Sequence, residues 1–394
     1  MDSEEQSLAS RMGSTTCITD LTDDSLSEIL NRITCKSTFV CKSVCKRWFN
    51  LISNPDFVSG FIAHQNRHQP PPPELLFGSF GNLTPQAQPD CLQAKPSLSF
   101  LPCFDHEKPD NVQIVGSCND LCLCLDVEKL ICYICNPFTN HFAALPPLPS
   151  RPLLAGFTCQ AYYCSGGAIN SEFKFEVVAV FDYDPTLSRP HIIKQAFLAK
   201  YFTSESIEWT NAVTGFIEAD VILNESSLIS PAVPHCNKMY WLVKNGIFYY
   251  AAYTPRRRCF RFLPKRTTWM HLGLGRDSLR LFKVYKTRMI IKEIYTLRKF
   301  SIIQVDLRNM NMPNDLRNRS ITQGKFIGKV IGVSPNDPDI IYLNMDKCCV
   351  VSCNLRTDTW NKYDCDTSNL GIHNVVVLPV PYWPTPVLSF PSHS

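Results

Sequence analysis

Charged residues are scarce in this chain of 394 residues: Asp, Glu, Lys and Arg together make up 19%, against 45% hydrophobic residues. That balance excludes a disordered or collagenous chain and allows sizeable cores. Neither sign of charge dominates, since the formal net charge is +4, so wholesale nucleic-acid binding is not implied. No apolar run approaches the roughly 18 residues that a membrane-spanning helix needs. The opening Met-Asp-Ser-Glu-Glu is acidic and has no apolar segment behind it, so a signal peptide is not expected. The expected location is the nucleus and/or cytoplasm, where thiols stay reduced. Cysteine itself is abundant, but 19 is an odd number, and free thiols fit it better than a disulfide framework. Also missing are His-Glu-x-x-His, Gly-x-Ser-x-Gly and Walker patterns, so no recognised catalytic or nucleotide-binding motif is present.

Residues 1–18 are polar and aperiodic and read as a disordered leader. A dense helical pattern occupies 19–64. Within 65–75, the run Pro70-Pro71-Pro72-Pro73 cannot continue a helix and makes a stiff spacer. From about 76 to 378 the chain turns to short runs rich in Val, Ile, Phe and Tyr, among them Phe173–Tyr183, Met239–Tyr253, Ile302–Leu307 and Ile340–Asn344. Turn residues separate them, which predicts all-β packing. Residues 379–394 hold five prolines and read as an irregular tail.

In the helical segment Leu26, Ile29, Leu30 and Ile33 fall at i, i+3, i+4 and i+7, one apolar face. Thr22 can cap this helix, and Asp23 and Asp24 complement its dipole. Val40, Val44, Trp48, Leu51 and Ile52 form a second stripe. Asn54-Pro55 can start a third helix, with Phe57, Val58, Phe61 and Ile62 on its apolar face. Three short helices bury little surface alone, so a docking partner is expected.

Leu21-Thr22-Asp23-Asp24-Ser25-Leu26-Ser27-Glu28-Ile29-Leu30-Asn31-Arg32-Ile33, followed by Lys36-Ser37, Cys41 to Trp48, Leu51-Ile52 and Pro55-x-Phe57, resembles a plant F-box. The resemblance implies a helical module that binds a Skp-type adaptor and, through it, a cullin. Adaptor contact would be formed or supported by Leu21, Leu26, Ile29, Leu30, Val44 and Trp48. Thr22 and Thr34 stand where that family usually has prolines.

The β-rich remainder carries a spaced repeat. Asn136 to Phe142 aligns without gaps on Asn354 to Trp360; Thr203, Ser206 and Trp209 keep the same three positions, and Thr254 to Phe260 keeps the outer two. The closing aromatics are 67, 51 and 100 residues apart, a unit of about 50 with one insertion and one degenerate copy. An amide or hydroxyl would hold each turn while the aromatic packs between sheets. Such units close into propellers, here of five to seven blades. Ser117 to Leu123, Cys135 to Thr139, Leu145 to Pro149, Met239 to Leu242 and Trp360 resemble the F-box-associated, kelch-like domain of plant F-box proteins. The fold class expected is therefore α+β multidomain, a small all-α module followed by an all-β propeller.

Candidate chemistry is thin. Cys132-x-x-Cys135, with Cys118, Cys122 and Cys124 nearby, has zinc-ligand spacing, but residues three apart on a strand face opposite sides, which favours packing. Cys348-Cys349 reads the same way. His64 and His68 could share a helical face but sit just before the prolines. Gly273-x-Gly275 reads as a loop rather than a phosphate cradle. Neither metal nor cofactor is expected. Charge is unevenly spread, however: residues 256–325 contain 18 Lys/Arg and four Asp/Glu. Arg256, Arg257, Arg258, Arg261, Lys265 and Arg266 are its densest part. They suit either protected strand edges or an acidic or phosphorylated target.

The favoured reading is a non-catalytic substrate receptor of a Skp–cullin–F-box ubiquitin ligase, holding an unknown target protein through its β domain. One alternative is a binding protein not coupled to cullin, with Thr22 and Thr34 as the clue. Another is a propeller enzyme using the cysteine or histidine clusters.

Overall fold

The structure is a computed structural model. It describes residues 17–68, 74–78, 81–82, 97–104, 111–163, 168–170, 173–182, 194–206, 208–218, 230–236, 238–244, 246–254, 257–264, 269–276, 278–295, 299–322, 325–326, 328–346, 349–364 and 375–387. The chain forms two compact units, one helical and one β.

The helical unit opens with a 3₁₀ turn, Ile18–Asp20, so residue 18 is structured rather than part of a leader. Four helices follow: α1 (Asp23–Leu30), α2 (Cys35–Cys41), α3 (Lys46–Ser53) and α4 (Pro55–His68). Each start has a local cause. Thr22 Oγ1 accepts the Ser25 amide at 3.2 Å and Thr34 Oγ1 accepts the Ser37 amide at 3.2 Å, both as N-caps. Asn54 Oδ1 accepts the Asp56 amide at 2.9 Å, with Pro55 in the first helical position. The stripe from Val40 to Ile52 is not one helix. After Cys41 the amides of Lys42, Ser43 and Val44 bond three residues back, and Ser43 Oγ donates to the Val40 carbonyl at 2.7 Å. Those bonds tighten and end α2, and the extended Cys45 then starts α3 afresh. The last helix also runs past residue 64, to His68.

Leu26, Leu30, Ile52, Phe57 and Phe61 are buried and make the core of this unit, each worth roughly 1.5–3 kcal/mol of transfer free energy. Helix α3 touches the other three helices. Gln65 on α4 donates to the carbonyls of Asn31 and Ile33, at 2.9 and 3.3 Å, and so satisfies the chain leaving α1.

The β unit begins with β1 (Glu74–Gly78) and β2 (Gly81–Asn82). Blade one is β3 (Val112–Cys118), β4 (Leu121–Asp126), β5 (Ile131–Asn136) and β6 (His141–Ala144). Blade two is β7 (Leu154–Cys159), β8 (Phe175–Asp182), β9 (Lys194–Thr203) and β10 (Thr210–Glu218). Blade three is β11 (Val233–His235), β12 (Lys238–Val243), β13 (Gly246–Thr254) and β14 (Arg257–Pro264). Blade four is β15 (His271–Leu274), β16 (Leu279–Tyr285), β17 (Arg288–Ile294) and β18 (Phe300–Asp306). Helix α5 (Asn314–Ser320) and a small hairpin, β19 (Ile321–Thr322) and β20 (Lys325–Phe326), lead to blade five. That blade is β21 (Lys329–Val333), β22 (Ile340–Asp346), β23 (Cys349–Asn354) and β24 (Thr359–Asp364), and β25 (Val376–Pro379) comes last.

The result is a five-blade propeller of four-stranded antiparallel meanders. The innermost strands ring an axis: β3 meets β7, then β11, β15, β21 and β25 follow in order, and β25 returns to β3. Strand β25 pairs antiparallel with β1, placing Leu75 opposite Leu378, and β1 pairs with β2. A three-stranded sheet drawn from both ends of the domain thus closes the ring, which removes two open edges.

Most cores lie between blades. Leu121, Leu123 and Leu125 pack with Phe157, Val177 and Ala179; Val178 and Phe197 pack with Trp241 and Phe248; Phe282 and Ile291 pack with Leu343 and Val351. Gly156 is required by close approach, since a Cβ there would stand 2.7 Å from the Trp241 ring and 2.8 Å from Ala232 Cβ. Trp241 Nε1 also donates to the Ala155 carbonyl at 2.7 Å. The tail after β25 is irregular yet integral: Val380, Trp383 and Thr385 are buried. Asp120 accepts from the Thr385 amide and hydroxyl at 2.8 and 2.6 Å, and from Asn136 Nδ2 at 2.9 Å. Burial pushes the Asp120 carboxyl up while those hydrogen bonds oppose it.

The spaced repeat maps onto one structural place, the turn between third and fourth strands. Asn136 Oδ1 accepts the Phe138 amide at 2.9 Å and Asn354 Oδ1 accepts the Arg356 amide at 2.9 Å. Asn140 and Asp358, equivalent positions, share a left-handed φ of 58° and 57°. In blade two, Ser206 Oγ takes the amide of Thr203 at 2.8 Å instead. Blade four joins β17 to β18 without this residue pattern, which accounts for the interval of 100 residues. Two strand readings need correction. Met239–Tyr253 is a hairpin, with Val243 opposite Gly246 across a two-residue turn. Gly273 lies within β15, where a Cβ would come 2.4 Å from Val333, and only Gly275 is in a turn.

Candidate functional site

On the helical unit the expected adaptor residues divide by burial. Leu26 and Leu30 are core and cannot touch a partner; they support the surface from inside. Leu21 and Trp48 are half-buried. Ile29 and Val44 are exposed, at 46% and 61%. Three further large apolar side chains, Ile18, Val40 and Phe49, stand out in solvent; Val40 belongs to the second stripe, but none of the three was among the expected adaptor residues. Five such residues on so small a unit is the composition of a docking face rather than of a free surface. Val44 is displayed because it sits in the turn between α2 and α3, not on a helix.

That surface is held from behind. Arg47 Nε donates to Asp23 Oδ1 at 2.8 Å, and its other nitrogens donate to the Thr19 carbonyl at 3.0 Å and to the Leu21 carbonyl. One guanidinium therefore fixes the 3₁₀ turn and the start of α1 against α3, a fork that lysine cannot reproduce. Thr22 and Thr34 each supply an N-cap oxygen, so both turns retain a local determinant without proline. His64 and His68 do share a face of α4, with ring centroids 4.5 Å apart.

In blade one Cys122, Cys124, Cys132 and Cys135 are buried. Cys132 belongs to the cluster shared with blade two, whereas Cys122, Cys124 and Cys135 belong to the cluster on the opposite face. Cys124 and Cys135 sulfurs are 3.7 Å apart. Burial raises the Cys132 thiol to about 12, and Cys122 and Cys349 are likewise buried.

A cavity of about 390 Å³ opens at the inner strands, lined chiefly by Ala232, Val233, Leu272, Val333 and Val376 with Ser230 and His271 among them. No Asp, Glu, Lys or Arg lines it among the described residues. Burial, with Lys329 nearby, drives His271 down to about 3, so its imidazole is neutral at physiological pH. Cys118 and Cys159 meet at the rim, where the Cys159 amide donates to Cys118 Sγ at 3.2 Å, and Cys236 Sγ lies 3.3 Å from His235 Nε2.

The basic segment is partly structural. Arg280 is buried and donates through Nε to Glu293 Oε1 at 2.6 Å, and it also reaches the Pro338 carbonyl in the loop of blade five. Burial acts to raise the Glu293 carboxyl, but hydrogen bonds from Tyr295, Arg280 and Ser301 and the Arg280 charge prevail and lower it. Arg317 donates to the carbonyls of Arg308 and Met310. Arg257, Arg258 and Arg261 lie on β14, opposite Thr254, Ala252 and Tyr249. Arg256, Lys265 and Arg266 fall outside the described residues. What the segment leaves outward is the outer half of blade four. Its edge strand exposes Phe300, Ile302 and Ile303, and Lys292 Nζ lies 3.6 Å over the Phe300 ring.

Residues 18–59 match the F-box domain family. The chain is similar to "F-box protein At5g49610" of Arabidopsis thaliana, 29% identical over 230 residues, covering 58% of this chain and 57% of that protein. It is also similar to "Putative F-box/kelch-repeat protein At3g17540" of the same plant, 28% identical over 141 residues and 34% of each chain. The chain thus carries an F-box domain and has homologues among plant F-box proteins, whose length it matches over little more than half in the first case. Solved structures align only loosely. A streptogramin B lyase has a TM-score of 0.34 at 11% identity, over 66% of this chain and 70% of that one. A chain of a nidogen/laminin complex reaches 0.40 at 10%, over 77% and 97%. Scores this low transfer nothing to the present chain.

Proposed function

We propose that this chain is the substrate-recognition subunit of a Skp–cullin–F-box ubiquitin ligase, acting in the nucleus and/or cytoplasm. The observation that carries the reading is an F-box domain whose surface displays Ile18, Ile29, Val40, Val44 and Phe49. These side chains dock a Skp-type adaptor, which recruits the cullin, while the propeller holds a target protein. The subunit performs no bond chemistry and uses no cofactor. It raises the target's effective concentration beside the ubiquitin donor and holds it in reach.

The test is capture of purified adaptor and cullin by the full chain. Val44→Asp with Phe49→Asp alters exposed positions and should abolish capture while leaving the melting curve unchanged. Leu30→Ala, in the core, should instead cost about 2–5 kcal/mol and unfold the helical unit. Failure of the folded wild-type chain to capture adaptor rejects the proposal and favours a binder uncoupled from cullin.

A further inference from the structure

We propose that β18, the outer strand of blade four, is a docking strand that receives an extended acidic segment of the target protein by strand addition. This rests on the receptor reading above and names the chemistry of what the propeller would hold. Strand β18 is the last strand of its sheet and is paired on one side only, by β17. Its free side offers a row of backbone donors and acceptors, the template for strand addition.

Outer strands are normally guarded, and this one is not. From Phe300 to Asp306 it contains no proline and no lysine. Phe300, Ile302 and Ile303 are 52%, 54% and 40% exposed, and Tyr295 and Tyr285 nearby are also exposed. By contrast, the corresponding strand of blade five, β24, presents Asn361 and Lys362, and that of blade one is only four residues long. An uncovered apolar edge is a liability unless something covers it.

Charge says what covers it. Residues 279–306 carry seven Lys/Arg and two Asp/Glu. Both acids are already engaged, Glu293 by Arg280 and Asp306 by Arg308. Lys292 stands opposite Ile302 in the ladder and sits over Phe300, so cation and apolar surface are interleaved on one face. A partner strand matching this face carries apolar side chains for Phe300 and Ile302 and carboxylates for the lysines. A second copy of this chain would oppose like charges, and RNA would not use the apolar edge.

The probe is a labelled ten-residue peptide alternating valine and glutamate, titrated against the full chain by fluorescence anisotropy. It should bind about tenfold tighter than the same peptide with lysine for glutamate, and about tenfold tighter than a version N-methylated on alternate amides. Binding should weaken as salt rises. Phe300→Glu with Ile302→Glu should reduce binding about tenfold, and Ile302→Thr, which keeps strand propensity, should reduce it less. The melting curve and adaptor capture should stay unchanged in both variants. Equal binding of acidic and basic peptides, undiminished binding by the variant, or competition by poly-uridine RNA overturns the proposal. So does self-association of the wild type that the variant abolishes. Loss of adaptor capture by wild type would sink the receptor reading alone, because the peptide titration is read without the adaptor.

Discussion

Arg47 and Asp23, in α3 and α1, are joined by an N–O contact of 2.8 Å, and the same guanidinium holds two backbone carbonyls of the turn that presents Ile18. Most of this pair is solvated, so the charge attraction is worth little, and the value lies in the fork. Arg47→Ala and Arg47→Lys should each lower adaptor capture several-fold, with a loss of only about 1 kcal/mol in chemical unfolding. Rescue by lysine would show that charge, not geometry, matters.

Asp120 and Thr385 share two hydrogen bonds across 265 residues of sequence. Asp120→Ala strands the buried Thr385 donors and one hydrogen of the Asn136 amide, whose other bond goes to the Thr385 carbonyl at 2.8 Å, and should cost roughly 3 kcal/mol. Thr385→Ala keeps the amide bond and should cost about 1 kcal/mol. Urea unfolding monitored by tryptophan fluorescence checks both.

Glu293 has its carboxyl held below the ordinary range, so its pairing with Arg280 stabilises the fold above the unfolded value of about 4.3 and is lost as pH falls through the folded one. Glu293→Gln leaves the buried Arg280 only the longer contact to Asp339, at 3.7 Å, and should cost about 3 kcal/mol at pH 7. The gap between wild type and variant should narrow below about pH 4. A constant gap in urea titrations from pH 7 to 3 would contradict the pairing.

His271 works in the same direction over a higher pH window. Its folded value of about 3 lies below the unfolded value of about 6.5, so the unfolded chain takes up the proton first as pH falls. Lowering pH from 7 to 5 should therefore remove about 2 kcal/mol of stability through this residue alone. His271→Phe should abolish that share of the slope, as measured by urea midpoints at the two pH values.

Local devices were legible in the sequence and distant ones were not. Thr22 and Asn54 declare helix starts because a cap acts on amides two or three residues away. The Asn136 and Asn354 turns declare themselves for the same reason, and with them the blade spacing. Val40 to Ile52 looked like one stripe because periodicity is blind to Ser43 taking the Val40 carbonyl. Ile302–Leu307 reads as a strand, but neither Ile302 nor the preceding Phe300 gives any sign in sequence of lying outward. Leu26 and Leu30 carry the apolar pattern of a contact surface and of a core alike, and burial alone separates them. Nothing in the sequence pairs β1 with β25, since their match is made by topology.

That last pairing sets a timetable for synthesis. Strand β1 begins at Glu74 and its partner begins at Val376. At about 5–20 residues per second, a ribosome needs roughly 15–60 s to travel between them. Throughout that interval the growing array has two unsatisfied flanks, and the Thr385 latch does not yet exist. Release of a nascent chain anywhere in that stretch leaves an open array of sticky edges, so closure of this domain waits until β25 has left the ribosome.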